Sequence, residues 1–466
     1  MDSAMVTGDL FVMSAAYVSL KRMWSRNRLF TFAPAVVALC LAAAGADAED
    51  AAGAAAPPSG VPAPGTPEVD QAARFQAWLD EFRRQAAAQG ISQATLDAAL
   101  TGLQPLDRVL ERDQSQPEFV QTFLDYLNKR VSDRRVEKGG EALAGQAERL
   151  GEAERRYGVP ARYLVAFWGL ETNYGGYLGD VPVVAALATL AYDARRPEFF
   201  RSQLLDALRI IDRGDVGAGD LVGSWAGAIG HMQFIPSTYL AYAVDGDGDG
   251  RVDLRNSLPD AIESAANYLH EAGWRSDQEW GLEVRLPDGF DASLAGLERR
   301  QPRAAWAALG LRRADGSPLA DADEADSLVL PQGISGPAFL VSDNFRVILR
   351  WNRSLNYAIA VGHLADRLAG GAPLATGLQA DNRPLSRDQM ETVQKCLAAL
   401  GYDPGTPDGI PGSRTRTAIR AYQKAAGLPA DGYPSLSLLE HLEDTLLEQE
   451  QPLPDGTMIS SDKGPA

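Results

Sequence analysis

The sequence predicts a mostly α-helical protein of the α+β class, and three observations support this fold class. Helical periodicity runs with interruptions over about 71–274. Short strand-like runs separated by Pro, Gly and Asp follow over about 281–341, and the helical pattern returns over 344–368. After a linker rich in Gly and Pro, residues 384–443 form a compact helical unit. We therefore expect a large helical domain with a small β-containing subdomain, and a separate C-terminal helical module.

Composition argues against several classes of protein. The chain has 466 residues, of which 45% are hydrophobic and 23% charged, so it can bury a sizeable core. The formal net charge of −18 argues against a nucleic-acid partner, because proteins that bind phosphate backbones present basic faces. The chain has two cysteines and four histidines, and no histidine lies in an HExxH pattern. A disulfide-rich scaffold and a zinc enzyme are therefore disfavoured.

The first 48 residues are interpreted as a secretory signal peptide. A basic region precedes an apolar run over 29–44, and the small residues Ala46 and Ala48 form a cleavage site. The apolar run is short for a membrane span. The residue before Cys40 is a bulky leucine, which disfavours lipoprotein processing. We therefore expect a periplasmic protein, in which an Ala/Pro-rich linker over 49–67 precedes the folded part. An uncleaved membrane anchor or a lipid anchor is the disfavoured alternative.

A glutamate stands on the apolar face of a predicted helix. Pro160 is placed at the helix start, where its missing N–H costs nothing. An apolar stripe that includes Leu164 and Trp168 repeats at Glu171, just before a glycine-containing turn. Burial disfavours the charged form of a carboxyl group, as a general acid that works near neutral pH requires. A Glu at a frayed helix end that turns toward solvent or pairs with an Arg is the open alternative.

A second segment, residues 223–237, is dense in glycine and aromatic residues. Its glycines permit close approach of the backbone to a ligand. Trp225 and Phe234 offer faces for stacking on a sugar ring, while Ser224 and Gln233 offer hydrogen bonds to its substituents. A tight crossing of two helices on small residues is the structural alternative for this segment.

Three separated motifs resemble the lytic murein transglycosylase B family. They are Gly169-Leu170-Glu171-Thr172-Asn173-Tyr174-Gly175, the run from Ser224 to Ser237, and Trp351-Asn352-Arg353-Ser354-Leu355-Asn356-Tyr357. The resemblance implies a lysozyme-like helical catalytic domain, which we assign to 68–368. It also implies cleavage of the β-1,4 bond between N-acetylmuramic acid and N-acetylglucosamine in peptidoglycan. The product would be a 1,6-anhydro-N-acetylmuramic acid end.

The same resemblance implies roles for individual residues. Glu171 would be the single catalytic acid/base, which protonates the leaving oxygen and then accepts a proton from the muramoyl C6 hydroxyl. The implied substrate-binding residues are Ser224, Gln233, Tyr268, Asn352 and Tyr357. Most glycosidases use two carboxylates, and Asp180 or Asp193 stays open as a partner, although no motif supports either. A hydrolytic muramidase that uses the same Glu171, and a non-catalytic wall-binding scaffold, are the competing hypotheses.

An acidic loop predicts a structural calcium site. Asp245, Asp247, Asp249 and Asp253 occupy positions 1, 3, 5 and 9 of an EF-hand loop, and Arg251 supplies a backbone carbonyl. Position 12 is Asn256 instead of glutamate, and the family resemblance implies a longer loop closed by Asp260. The predicted ligands are thus Asp245, Asp247, Asp249, Arg251 and Asp260. A solvated acidic turn is the alternative, in which Asp260 only favours a helix N-terminus. No cofactor is expected for the chemistry itself.

Residues 384–443 resemble a three-helix peptidoglycan-binding domain. The resemblance rests on the 408–412 run Asp-Gly-Ile-Pro-Gly and on Asp431-Gly432, while Ser435 and Ser437 stand where the family has a threonine-containing helix start. A tethered wall-binding module raises the local concentration of substrate. We expect a linker over 369–383, an acidic tail over 444–466, peptidoglycan glycan strands as the partner, and a monomer. Association with the cell-wall synthesis machinery is a further hypothesis.

Overall fold

The computed structural model describes residues 68–114, 121–193, 195–320, 325–375 and 384–450. The expected signal peptide and the linker over 49–67 lie outside the described residues, as do part of the second linker and the end of the acidic tail. Within the described ranges, no helix combines the length and the apolar character that a membrane crossing needs.

Helices make up most of the described chain before residue 281. They are α1 (Glu68–Ala88), α2 (Gln93–Leu100), α3 (Asp107–Gln114), α4 (Phe123–Arg130), α5 (Asp133–Gly145), α6 (Ala147–Tyr157), α7 (Ala161–Thr172), α8 (Val183–Tyr192), α9 (Pro197–Arg213), α10 (Pro236–Tyr242) and α11 (Leu258–Glu271). The short strands β1 (Val181–Pro182) and β2 (Val222–Gly223) form an antiparallel pair. Ser92, Thr122 and Ser132 cap α2, α4 and α5, because their hydroxyl oxygens accept first-turn N–H groups that lack a helical partner.

A five-stranded antiparallel sheet follows these helices. Its strands are β3 (Gly281–Arg285), β4 (Gln301–Pro302), β5 (Arg312–Arg313), β6 (Ala325–Val329) and β7 (Ala338–Val341), in the spatial order β4-β6-β7-β3-β5. The register sets both Leu282 and Leu328 opposite Leu340. Helix α12 (Arg303–Ala308) adds the fully buried Trp306 to the core of this sheet. The small sheet predicted from the strand-like runs is therefore confirmed.

Two further helices, α13 (Asp343–Trp351) and α14 (Leu355–Leu368), return the chain to the helical domain. There, α14 packs against α7, which is also in contact with α5, α6 and α11. Every residue of α7 from Tyr163 to Thr172 is buried, because neighbouring elements cover all of its faces. The last turn of this central helix contains Glu171.

The C-terminal module consists of α15 (Arg387–Ala399), α16 (Ser413–Ala425) and α17 (Leu436–Glu450). Leu397, Ile419 and Leu442 are fully buried in its core. Ser435 starts the last helix, since its Oγ accepts the Leu438 N–H at 3.1 Å. That helix continues to Glu450, and therefore extends into the segment expected to be an acidic tail.

Candidate active site

Glu171 lies in the last turn of α7 with only 5% of its surface exposed. The helix begins directly after Pro160, as the sequence predicts, and the stripe from Leu164 to Trp168 faces the interior. Burial on every side of α7 brings the Glu171 carboxyl group into the core. The alternative of a glutamate that turns toward solvent at a frayed end is therefore wrong.

The turn that follows α7 is held in the left-handed region. Asn173, Tyr174 and Gly175 have φ values of 51°, 61° and 76°. For residues with side chains this conformation costs about 1–3 kcal/mol each, so other contacts must maintain it. The Thr172 hydroxyl provides two of them, because it donates to the His231 carbonyl at 2.9 Å and accepts the Gly175 N–H at 3.1 Å. These bonds tie the end of α7 to the glycine-rich segment.

Tyr174 folds back over α7 and fixes the turn from the other side. Its hydroxyl donates to the Arg135 carbonyl of α5 at 2.8 Å. Its ring lies over Gly169, where a Cβ atom would be 2.6 Å from the ring. Glycine is required at this position because any side chain would displace Tyr174 and the turn with it.

Two side chains from α13 and α14 donate to the same oxygen of Glu171. Trp351 Nε1 donates to Oε1 at 2.9 Å, and the Tyr357 hydroxyl also donates to Oε1. Burial raises the pKa of Tyr357, and the nearby Glu171 raises it further, so the hydroxyl keeps its proton. The two donors together fix the orientation of the carboxyl group.

Asn352 controls the turn that places these two donors. The residue is 7% exposed, and its Oδ1 accepts the Ser354 N–H at 3.0 Å. Ser354 in turn accepts the Tyr357 N–H at 3.3 Å, which starts α14. The third sequence motif thus works as one unit that brings Trp351 and Tyr357 to Glu171.

An aromatic cluster surrounds Trp351. Its ring centroid lies 4.5 Å from Phe167, 5.0 Å from Tyr268 and 5.3 Å from Phe234. Burial raises the pKa of Tyr268 to about 12, so its phenol stays neutral. Phe234 is only 2% exposed, so the expectation that it offers a face to a sugar ring is wrong. Trp225 is half-buried.

The glycine-rich segment folds into tight antiparallel reversals, with bridges that pair Ile229 with Gly223 and with Phe234. Ser224 Oγ accepts the Ala228 N–H at 3.0 Å. The Gln233 side-chain amide donates to the Gly230 carbonyl at 2.9 Å. Both predicted binding residues therefore stabilise the segment itself, and the alternative of a simple helix crossing is wrong.

We predict that Gly230→Ala strongly destabilises the protein. Gly230 has a φ of 72°, and a Cβ atom there would lie 2.1 Å from the Leu254 carbonyl oxygen. Since neither the left-handed backbone nor a rigid carbonyl can accommodate it, the free energy of unfolding should fall by about 2 kcal/mol or more. Urea unfolding measures this loss. The control Gly140→Ala, on a helix with open space around it, should not lower the midpoint, and equal midpoints for both variants would contradict the prediction.

The two carboxylates left open as partners of Glu171 have local contacts of their own. Asp180 is exposed and accepts the Tyr177 hydroxyl at 3.3 Å. Asp193 forms an ion pair with Arg195 at 3.1 Å. Each side chain therefore binds a residue two or three positions away in its own loop.

The acidic loop brings three of its predicted ligands together. Among the described residues, oxygens of Asp245, Asp247 and Asp249 lie within 4.8 Å of one another. Backbone N–H groups, that of Gly250 first, lower the pKa of Asp245. Carboxylate oxygens are the ligands that Ca²⁺ prefers, so this group fits the ion.

Asp260 has a different position from the one predicted. It is 1% exposed, and its two oxygens accept the Gly246 N–H at 2.9 Å and the Asp253 N–H at 2.7 Å. The Arg251 N–H donates to Asp249 Oδ1 at 2.9 Å. Asp260 thus fixes the backbone of the loop as a buried support for the half-buried Asp245 and the exposed Asp247 and Asp249.

The sequence did not assign roles to two contacts of this site. Trp351 lies in the third motif, but nothing in the spacing of that motif indicated a hydrogen bond to Glu171. Trp168 Nε1 donates to His231 Nδ1 at 3.1 Å. Burial, followed by the charge of Arg255, lowers the pKa of His231, so its neutral ring can accept this bond.

A glutamate buried among aromatic side chains is the environment of the general acid in lysozyme, and comparison with known proteins places this chain in the class of enzymes that act on peptidoglycan. The family model described as "Transglycosylase SLT domain" matches residues 74–366, and "Putative peptidoglycan binding domain" matches residues 386–442. The chain belongs to the lytic murein transglycosylase family. It is 32% identical to membrane-bound lytic murein transglycosylase B of Escherichia coli strain K12 over 295 residues, which cover 60% of this chain and 79% of that protein.

Solved structures extend this similarity. SltB3 of Pseudomonas aeruginosa in complex with NAG-anhNAM-pentapeptide is 50% identical, with a TM-score of 0.76, and the match covers 79% of this chain and 99% of that one. The Escherichia coli lytic transglycosylase Slt35 in complex with calcium is 30% identical, with a TM-score of 0.55, and the match covers 65% and 94%. The predicted mostly helical, lysozyme-like fold is therefore confirmed.

Proposed function

We propose that this enzyme cleaves the β-1,4 bond between N-acetylmuramic acid and N-acetylglucosamine and leaves 1,6-anhydro-N-acetylmuramic acid ends, with Glu171 as the acid/base. The observation that carries the proposal is the burial of Glu171 together with the two donors, Trp351 and Tyr357, on one carboxyl oxygen. We further propose that the enzyme acts in the periplasm, because its first 48 residues follow the pattern of a secretory signal peptide.

In this mechanism one carboxyl group serves both proton transfers. Glu171 donates its proton to the glycosidic oxygen as the bond from that oxygen to muramoyl C1 breaks. The C6 hydroxyl of the same sugar then attacks C1, and its proton returns to Glu171. The attacking group belongs to the substrate, so the attack is intramolecular and gains the rate advantage of proximity. A general acid must lie within about 2.6–3.2 Å of the oxygen that it protonates, which requires an oriented carboxyl group.

The proposed substrate contacts lie on the elements around Glu171. We assign direct glycan contacts to the half-buried Ser224 and Tyr268, and we assign Gln233, Asn352 and Tyr357, which are at most 8% exposed, to the wall that holds the segment and Glu171 in place. Tyr268 is half-buried, so part of its neutral phenol ring remains accessible beside Trp351. SltB3 of Pseudomonas aeruginosa has also been solved in complex with NAG-NAM-pentapeptide, which supports a glycan ligand for this fold.

Product analysis tests the reaction type. Purified sacculi are digested with the enzyme, and the released muropeptides are identified by mass spectrometry. Anhydro ends are expected, because the C6 hydroxyl replaces water as the acceptor. Reducing ends would instead establish a hydrolytic muramidase, because its products are heavier than anhydro products by one water molecule.

The C-terminal module is proposed to hold the enzyme on the cell wall. A chain that ends at Ala375 should bind sacculi about a hundredfold more weakly, because it lacks the second point of attachment. Cleavage of short soluble glycans should remain near that of the full chain, since the truncation removes no residue of the site. Co-sedimentation with sacculi and soluble-glycan turnover measure the two effects. Equal sedimentation of both chains would contradict a wall-binding role.

We also propose a structural calcium ion at Asp245, Asp247 and Asp249. Their converging oxygens and the calcium complex of Escherichia coli Slt35 support this site. Calcium should raise the melting temperature, because an ion that binds only the folded state stabilises it. Asp247→Asn should reduce that rise, whereas the exposed Asp288→Asn should leave it unchanged. A melting temperature that does not respond to calcium in the unaltered protein would refute the site.

A further inference from the structure

A cavity of about 770 Å³ lies at the ends of α7 and α14 that are opposite to Glu171 and Tyr357. It is lined by Arg162 in the first turn of α7 and by Asp366 in the last turn of α14. Glu171 lies nine residues after Arg162 on α7, and Tyr357 lies nine residues before Asp366 on α14. At 1.5 Å per residue, each separation is about 13 Å along the helix axis. The cavity is therefore separate from the catalytic centre.

Gln278 gives this cavity an unmet hydrogen-bonding requirement. Its side chain is 7% exposed, and within the described part of the chain neither Oε1 nor Nε2 has a hydrogen-bond partner. Gln278 also lines the cavity. Because buried amide groups in proteins are almost always paired, the Gln278 amide calls for a partner that the described part of the chain does not supply.

Hydrogen bonds from Asn344 and Ser342 fix the backbone of the loop that contains Gln278. Asn344 is fully buried, and its Nδ2 donates to the carbonyls of Arg275 and Gln278, both at 2.8 Å. Its Oδ1 accepts the Arg275 N–H, also at 2.8 Å. The Ser342 hydroxyl donates to the Glu279 carbonyl. These bonds hold the backbone of the loop, so the Gln278 side chain starts from a fixed position at the wall of the cavity.

The charge of the lining favours a cation. Its carboxyl groups are those of Asp277, Glu279, Glu283, Asp315 and Asp366, and its guanidinium groups are those of Arg162, Arg303 and Arg313. One of these cations, Arg303, forms an ion pair with Asp326, which lies outside the lining, at 2.6 Å. Asp277 forms an ion pair with Arg275, which also lies outside the lining, and Glu279 forms one with Arg162 within it. The two outside partners cancel, so the lining keeps an excess of two carboxyl groups over guanidinium groups.

The arrangement suits an organic cation better than a bare metal ion. In the described ranges, the group of carboxylates close enough to share a metal is Asp245, Asp247 and Asp249, which lies elsewhere. Trp280 Nε1 donates to Asp366 Oδ2 at 2.8 Å, which fixes this carboxyl group at the wall. Carboxylates spaced around an amide match a ligand that has several separate donors.

We propose that this cavity binds an organic cation that carries a primary ammonium group and an amide, the chemistry of a peptide amino terminus or of a peptide with a lysine-like side chain. The ammonium group lies beside the carboxylate of Asp366, and the amide pairs with the polar atoms of Gln278. This site is additional to the glycan cleavage proposed above and does not depend on it.

Binding of small probes to the full chain tests the proposal. Alaninamide carries the ammonium group of an amino terminus, and Nα-acetyl-lysinamide carries that of a side chain. Their affinities are measured by saturation-transfer NMR and calorimetry and compared with those of N-acetyl-alaninamide and Nα,Nε-diacetyl-lysinamide, in which the ammonium group is removed. We expect at least one charged probe to bind about tenfold or more tightly than its acetylated counterpart. The preferred probe identifies the source of the ammonium group.

Two variants locate the binding. Asp366→Asn keeps the shape of the side chain and removes its charge, while Gln278→Leu removes both polar atoms at a similar volume. Each should weaken the charged probe about tenfold or more, whereas the exposed Glu152→Gln should not. Absence of charged-probe binding to the unaltered chain, or equal affinity of charged and acetylated probes, overturns the proposal without reference to any variant. Binding that both variants leave unchanged also overturns it.

Discussion

Glu171→Gln is expected to abolish the release of muropeptides from purified sacculi. An amide has no acidic proton to give to the leaving oxygen and no basic oxygen to receive the proton of the C6 hydroxyl. The loss of general acid–base catalysis should lower turnover by about a hundredfold to ten-thousandfold. The substitution keeps the shape of the side chain, and its amide oxygen can still accept from Trp351 and Tyr357. Chromatography of the released products measures the effect.

The variant also separates catalysis from attachment to the wall. Co-sedimentation of Glu171→Gln with sacculi should equal that of the unaltered chain, because the C-terminal module is unchanged. The exposed Glu152→Gln on α6 is the matched control and should keep full activity. Lytic activity retained in Glu171→Gln would show that this carboxyl group is not the acid/base and would remove the basis of the proposed mechanism.

The position of Glu171 in the core was predictable because helical periodicity is a local property of the sequence. Pro160, the stripe from Leu164 to Trp168 and the glycines after Tyr174 lie within a few turns of the carboxylate. They specify where the helix starts, which face is buried and where the helix ends. A polar residue that continues an apolar stripe is a signal that sequence alone can provide.

The donors to Glu171 could not be predicted from such local patterns. Trp351 is 180 positions away from Glu171 in the chain, and Tyr357 is 186 positions away. Periodicity shows that a face is buried but does not show which distant helix covers it. Tyr357 was identified through the family resemblance alone, and the contact of Trp351 results from the tertiary packing that brings the end of α13 to Glu171 on α7.

Two loops also have contacts that local sequence patterns could not predict. The spacing of the acidic residues placed Asp245, Asp247 and Asp249 in one loop, where they do converge, and the family resemblance added Asp260 to them. Spacing cannot show that a carboxylate is turned inward to accept backbone N–H groups. Gln278 lies in no motif, and its unusual surroundings depend on Asn344, which is 66 residues further along the chain. Both features result from tertiary packing.

Tyr357→Phe is expected to lower kcat about tenfold to a hundredfold, because Oε1 of Glu171 loses a donor inside a buried site. The phenylalanine ring keeps the contact with Phe167, where the centroids are 6.3 Å apart, so the fold should be retained. Trp351→Phe should have an effect of similar size. Because both donors act on one oxygen, the effects of the two changes on the activation free energy should not add in the double variant.

The separate values of kcat and KM for a soluble glycan show how Tyr357 acts. A lower kcat at unchanged KM means that the hydroxyl works through the orientation of Glu171, as the hydrogen bond to Oε1 indicates. A higher KM at unchanged kcat would instead mean that the Tyr357 hydroxyl binds the glycan equally well in the ground state and the transition state. That result would contradict its role in orienting Glu171. The ring of Tyr192 packs against Phe75 and Trp78 on α1. Tyr192→Phe removes only its hydroxyl group and should change neither kcat nor KM. The comparison of these two tyrosines therefore separates loss of a hydroxyl group in general from loss of the bond to Glu171.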